Sequence, residues 1–250
     1  LGNICNVNQG IVTGADKVSE KHINKYGWKE KKGAGIFVLS DDEVKEFETK
    51  RYFKKWYKNS DIKKYYTSVE SSQNILYINE KFQEESDIIR HLTRFKENLC
   101  ERREVHKGSR KWYDLWWGRV QEIFESPKIV APQRSPRNTF GYNEIPWYAS
   151  ADVYYITQKD ENVSLKYILA LLNSKLYYLW LYYRGKRKGE ILELTAKPLS
   201  EIPIKIVPQM DQQPFIDLVD KILAAKKDNP QADTTAWEKE IDQLVYKLYD

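Results

Sequence analysis

The most apolar stretch of the chain runs from Leu165 to Tyr183, and Lys166, Asn173 and Lys175 interrupt it. Those polar residues argue against a membrane span. Leu165, Ile168, Leu169, Leu172, Leu176 and Leu179 recur at helical spacing, with Ser164 placed to cap the N-terminus. One long helix is therefore predicted, and its apolar face must be covered by the rest of the chain. With 250 residues, 41% hydrophobic and 14% aromatic, the chain can supply that cover as one large domain or two small ones.

The remaining pattern mixes both periodicities. Ile36-Phe37-Val38-Leu39 predicts a short buried strand, and Asp41 or Asp42 can cap a helix after it. Ile88, Leu92, Phe95 and Leu99 predict a helix from Ser86 to near Lys107-Gly108, with Arg90, Arg94 and Glu97 in solvent and Lys96 at the edge of the buried face. Lys128–Ala131, Thr139–Tyr142 and Trp147–Thr157 are β-branched or aromatic runs separated by Pro, Gly and Asn, which predicts antiparallel strands. A polar loop, Gln133–Asn138, joins the first two, and Glu201–Val207 predicts one more strand. Pro214 is placed to open a helix burying Phe215, Leu218, Val219, Ile222 and Leu223. Thr235 with Glu238 forms a capping box for a last helix burying Trp237, Ile241, Leu244, Val245 and Leu248. The fold class is α+β: an antiparallel or mixed sheet, flanking helices and a C-terminal helical hairpin.

Enzyme chemistry finds little support. Cys5 and Cys100 match no metal spacing and read as reduced, cytoplasmic thiols, and His22, His91 and His106 are scattered. No nucleophile elbow or phosphate loop occurs, and Gly33-Ala34-Gly35 is too short for a dinucleotide fingerprint. Glu43-Val44-Lys45 matches only the tail of a nuclease motif. The chain itself is expected to hold no catalytic residue, cofactor or metal. It starts at Leu1 and is read as a fragment of a longer chain.

Charge carries the stronger signal. The net charge is +5, but from Gln209 onward five Lys face nine Asp and Glu, a net of −4, which leaves +9 on residues 1–208. A basic body with an acidic helical end suits a polyanion on one surface and a protein contact elsewhere. Lys50–Tyr65 holds seven basic residues among five aromatics. Arg184-Gly185-Lys186-Arg187-Lys188 packs four cations just past a helix end, where they repel unless solvated or meeting an anion. Gln133, Arg134, Arg137 and Asn138 supply the donors and acceptors that read guanine or adenine edges. Trp112, Trp116 and Trp117 are expected to pack in the core.

Several blocks resemble the TaqI-like C-terminal specificity domain. Gly10-Ile11-Val12-Thr13-Gly14-Ala15-Asp16-Lys17-Val18 is similar to its Gly-Ile-x-Thr-Gly-x-Asn/Asp block, and Asn59-Ser60-Asp61-Ile62-Lys63-Lys64-Tyr65 to its Asp-Ile-Lys-Arg-Tyr block. Lys111-Trp112-Tyr113 and Ser126–Pro132 fit the approach to the central strands. Leu169–Leu176 resembles the Leu-Leu-Asn-Ser helix, in which Asn173 seeks a backbone partner, and Ile202-Pro203-Ile204 precedes Gln213-Pro214-Phe215-Ile216 as in the family.

The resemblance implies a bacterial restriction-modification parent: an adenine-specific DNA methyltransferase, in some members also an endonuclease, using S-adenosylmethionine in an upstream domain of the same chain. The catalytic Asn-Pro-Pro-Tyr tetrapeptide is absent from these 250 residues. Double-stranded DNA is the expected partner, with no membrane. Residues 1–208 form the expected target-recognition domain, and 209–250 a hairpin packed on it or on the upstream domain. Lys17, Lys63, Lys64, Arg110, Lys111, Arg184, Lys186, Arg187 and Lys188 are the expected phosphate contacts, and Arg134, Arg137 and Asn138 the base readers. The competing expectations are an interaction scaffold whose charge is incidental, and a nuclease built on Glu43 and Lys45.

Overall fold

A computed structural model describes residues 1–250. The first part holds β1 (Cys5–Gln9), α1 (Glu20–Tyr26), β2 (Val38–Ser40), α2 (Asp41–Lys45), β3 (Phe53–Tyr57), β4 (Tyr65–Tyr66) and β5 (Gln73–Leu76). Four short helices follow, α3 (Ser86–Thr93), α4 (Lys96–Cys100), α5 (Arg103–His106) and α6 (Glu122–Glu125). Then come β6 (Lys128–Pro132), β7 (Arg134–Ser135), β8 (Gly141–Asn143), β9 (Tyr148–Ala149) and β10 (Val153–Gln158). The chain ends with α7 (Leu165–Asn173), α8 (Lys175–Arg184), β11 (Arg187–Lys188), β12 (Ile191–Glu193), α9 (Ala196–Ser200), α10 (Gln209–Asp228) and α11 (Thr235–Tyr249).

A five-stranded sheet, in the order β1-β10-β6-β8-β4, divides two hydrophobic cores. Successive residues of a strand point to opposite faces. Ile129, Ala131, Tyr154 and Ile156 accordingly enter the core shared with α7, α10 and α11, while Val130, Val153 and Tyr155 enter the other. Covered on both faces, β6 and β10 read as continuous apolar runs with no alternation. The second core is closed by a four-stranded sheet, β2-β5-β3-β9, and by α3 and α4 through Ile88, Leu92 and Leu99. Most neighbouring strands run antiparallel, but β4 with β8 and β3 with β9 are parallel, so the sheets are mixed. No helix is long and apolar enough to cross a membrane.

The hairpin of α10 and α11 shares its core with α7, placing Phe215, Leu218, Val219, Ile222, Ile241 and Val245 beside Leu169 and Leu172. Lys64 pairs with Glu238 across to β4. The acidic end is thus joined to the basic body by one continuous apolar cluster.

Several elements depart from their sequence expectation. The long apolar helix is two helices, because Ser174 is extended, donates to Leu171 O and accepts from the Tyr177 N–H, ending α7 and capping α8. The turn between them carries Leu179 out of the core, and it is 47% exposed. The helix from Ser86 breaks at Phe95, whose N–H bonds three residues back to Leu92 O while the Arg94 side chain occupies His91 O. The last residues of that pattern form the separate α5, which ends before Gly108 in the left-handed region.

The cap of α2 is Ser40, which shares a capping box with Glu43, and neither Asp41 nor Asp42 serves. Glu201–Val207 pairs with no strand: Pro203 lacks an N–H, and the Tyr177 and Tyr167 hydroxyls donate to Pro203 O and Lys205 O instead. Helix α10 starts at Gln209, so Pro214 lies inside it. The carbonyl deprived of a partner belongs to Met210, which is exposed and can bond water. Thr234 precedes α11 and bonds Glu238, so the expected Thr235 is one residue late.

Candidate nucleic-acid interface

The strand register brings distant basic segments to one rim of the central sheet. Gln9 pairs with Tyr154, and Pro132 with Val153, so the end of β1, the start of β10 and the end of β6 lie together. Gly141 pairs with Val130 and with Tyr65, which adds the residues leading into β8 and β4. Lys63, Lys64, Arg134 and Arg137 therefore sit along a single rim. Five strands at about 4.8 Å spacing make it roughly 19 Å wide. That exceeds a major groove of about 12 Å, enough to reach a groove and the backbone beside it.

The expected polar loop is partly a strand. Arg134 and Ser135 form β7, which joins β12 and β11 in a three-stranded sheet pairing Glu193 with Arg134 and Leu192 with both Ser135 and Arg187. The Arg184–Lys188 run is consequently no flexible tail, because its second half is the outer strand of this sheet, closed by Gly189 at φ 60°. The Arg187 guanidinium lies 3.9 Å from the Tyr182 ring centroid and donates to Gly189 O. Glu193, nearly buried, accepts from Lys186 at 2.9 Å and lies 3.7 Å from Arg134. The Lys186 ammonium holds its carboxyl below the usual range. One carboxylate thus sets the spacing of two cations from segments fifty residues apart, while Arg184, Arg187, Lys188 and Arg137 form no ion pair.

Asn138 is corrected from base reader to structural anchor. It is 7% exposed, and its amide donates to Ser174 O at 2.9 Å and to Leu172 O at 2.7 Å, satisfying the latter carbonyl, which the helix break frees. Asn173 makes the reciprocal tie, accepting from Phe140 N and donating to Phe140 O. The pair clamps the approach to β8 against α7, leaving Arg137 exposed between them.

Other expected contacts are less free. The Lys17 ammonium bonds Gln73 on the second sheet, Lys64 pairs with Glu238, and Lys111 pairs with Glu84 at 3.1 Å. Arg110 lies over the ring of Trp117, and that ring is 41% exposed, so the expected core role fails for Trp117. Trp112 and Trp116 are half-buried.

Sequence reasoning missed Arg119. It adopts φ 65°, its Nε donates to Gly10 O at 3.1 Å and its Nη2 to Gln9 Oε1 at 3.2 Å, fixing a guanidinium at the same rim. Burial pushes the Tyr154 phenol up, while the Gln133 amide and the charges of Arg119 and Lys186 act in the opposite sense. No linear signal marks Arg119, since its partners are a carbonyl and an amide over a hundred residues away. Glu43, the acid of the nuclease alternative, is committed to the N–H groups of Gly35 and Ser40.

A two-core α+β domain with basic side chains gathered on one sheet rim is the class these features define. The profile of the TaqI-like C-terminal specificity domain matches residues 44–204, and the chain belongs to that family. It is similar to the type II methyltransferase M.HindII of Haemophilus influenzae, 26% identical over 217 residues that cover 82% of this chain and 38% of the relative. It is also similar to the type II methyltransferase M.BanIII of Aneurinibacillus aneurinilyticus, 28% identical over 243 residues, 89% of this chain and 38% of that one. The chain thus spans less than two fifths of the curated relatives it matches. In fold it resembles part of the type IIL restriction-modification enzyme MmeI, solved in complex with DNA, at TM-score 0.70 and 14% identity over 98% of this chain and 32% of that one.

Proposed function

We propose that this chain recognises a specific sequence in double-stranded DNA, as the target-recognition part of a restriction-modification adenine methyltransferase acting in the bacterial cytoplasm. The parent would draw its methyl group from S-adenosylmethionine held in an upstream domain of the same chain, and that domain is the second partner. The observation that carries this reading is the convergence of Arg134 and the Arg187–Lys188 strand on one small sheet, with Lys186 at its start, beside Arg137 and Arg119 on the sheet rim. Cations left without intramolecular partners neutralise phosphates independently of sequence, whereas Arg137, exposed on a clamped loop, is poised to donate to a guanine edge. Family membership and the methyltransferase relatives support the same assignment. The recognition surface lies within residues 1–208, and 209–250 support it through the core that α10 and α11 share with Leu192 of the small sheet.

The test is binding by the full-length enzyme to every single-base variant of its site. Arg137→Ala should cost roughly 1–3 kcal/mol at the preferred site and flatten discrimination at one base pair, with much smaller loss on unrelated duplexes. A preference profile unchanged in Arg134→Ala, Arg137→Ala and Arg119→Ala would refute it.

A further inference from the structure

A cleft of about 640 Å³ opens beside the rim, and Arg119 of the rim lines one of its walls. Phe82, Val120 and the indole of Trp117 supply apolar surface, and Arg110, Arg119 and Asn8 supply polar groups. Its volume lies within the roughly 300–1,000 Å³ typical of sites for small organic groups.

Three features mark it as built for a ligand. Trp117 is held by reciprocal backbone hydrogen bonds with Val12, yet 41% of the residue stays exposed, although a large aromatic usually gains most by burial. Arg110 stands 5.3 Å from the ring centroid, so indole and guanidinium already share one wall. Arg119 occupies the left-handed region, which is strained for a residue with a Cβ, and three groups hold it there: Gly10 O, Gln9 Oε1 and the Tyr77 hydroxyl, which donates to its carbonyl. The side chain of Asn8 makes no hydrogen bond within the chain. A flat π surface, a guanidinium fixed by hydrogen bonds, a second one over the ring and a free amide match a nucleotide: base on indole, phosphate on arginine, base edge on the amide.

Bases inside a duplex have both faces covered by their neighbours and offer none to Trp117. We infer that this cleft receives a single nucleotide displaced from the helical stack, through stacking on Trp117 and anion contact with Arg110 and Arg119. The inference rests on the DNA-binding reading and adds to it a site for an unstacked base.

The experiment compares two duplexes of one sequence, fully paired or carrying one bulged 2-aminopurine, titrated with the chain. The bulged duplex should bind more tightly by roughly fivefold to a hundredfold, the range that stacking of one base provides, and its emission should fall as the base stacks. Trp117→Ala and Trp117→Leu should abolish both the preference and the quenching, while Trp117→Phe retains part of each. Leucine keeps apolar bulk without a π face, so it decides the matter if the alanine variant unfolds. Equal binding of the two duplexes by the wild type, or a preference that survives in Trp117→Leu, would overturn the inference alone. Failure to bind either duplex would overturn the DNA-binding reading with it.

Discussion

Replacing Asn138 by Ala separates an anchor from a base reader. The side chain is buried, and its one amide nitrogen serves two carbonyls at the α7–α8 break, Leu172 O and Ser174 O. Alanine removes the donor and leaves Leu172 O without a partner in a site closed to water, whereas Ser174 O still accepts from the Tyr178 N–H. An unsatisfied buried acceptor costs about 1–3 kcal/mol, so a loss of that order is expected. For a chain of this size that corresponds to a fall in Tm of roughly 2–12 °C. Urea unfolding of the isolated chain gives the free energy, and an unchanged slope would locate the effect in the native state. The exposed neighbour Arg137, changed to Ala, should stay within about 0.5 kcal/mol of wild type. If Asn138→Ala were as stable as wild type and instead altered base preference, the anchor assignment would be wrong.

Other outcomes follow from the same structure. Burial lowers the His91 pKa from 6.5 to about 4, and the ring meets Ile36 O. A depressed base binds its proton more readily when unfolded, so this stability is complete above pH 6.5 and is lost as pH falls toward 4, by up to about 3 kcal/mol. Stability curves against pH should lose that component in His91→Gln. Gly10→Ala would place a Cβ 2.2 Å from Ser150 O and 2.6 Å from Ala149 O, and the displaced backbone should cost about 1–3 kcal/mol in denaturant unfolding. Wild-type stability in that variant would show that the β9–β10 turn yields freely.

Periodicity made the helices and the central strands legible, because α7, β6 and β10 are each long enough to impose a period or an unbroken apolar run. What it could not locate were events decided by single polar groups. Ser174 splits one apolar helix, the Arg94 side chain on His91 O marks the break of another, and Tyr hydroxyls satisfy the backbone where a strand was expected. The basic run and the polar loop were visible as composition, yet their union on one sheet depends on a pairing between residues 134–135 and 191–193 that no local pattern encodes. Asn138 carries the side chain of a base reader, and only tertiary contacts show that its amide is spent on helix carbonyls. Arg119 and the exposed Trp117 were missed or misplaced for the same reason: their settings come from the end of β1, far away in the chain.

The central claim is that Lys186, the Arg187–Lys188 strand and their neighbours on the rim meet DNA phosphates. It is tested most directly by the salt dependence of duplex binding to the wild type and to the Lys186→Ala, Arg187→Ala, Lys188→Ala triple variant. Each phosphate contact releases counterions and adds about 0.9 to the slope of log affinity against log salt, so three lost contacts should lower it by roughly 3, alike for every sequence tried. A triple variant that folds as the wild type does and keeps its slope and affinity would place the DNA elsewhere and contradict the account.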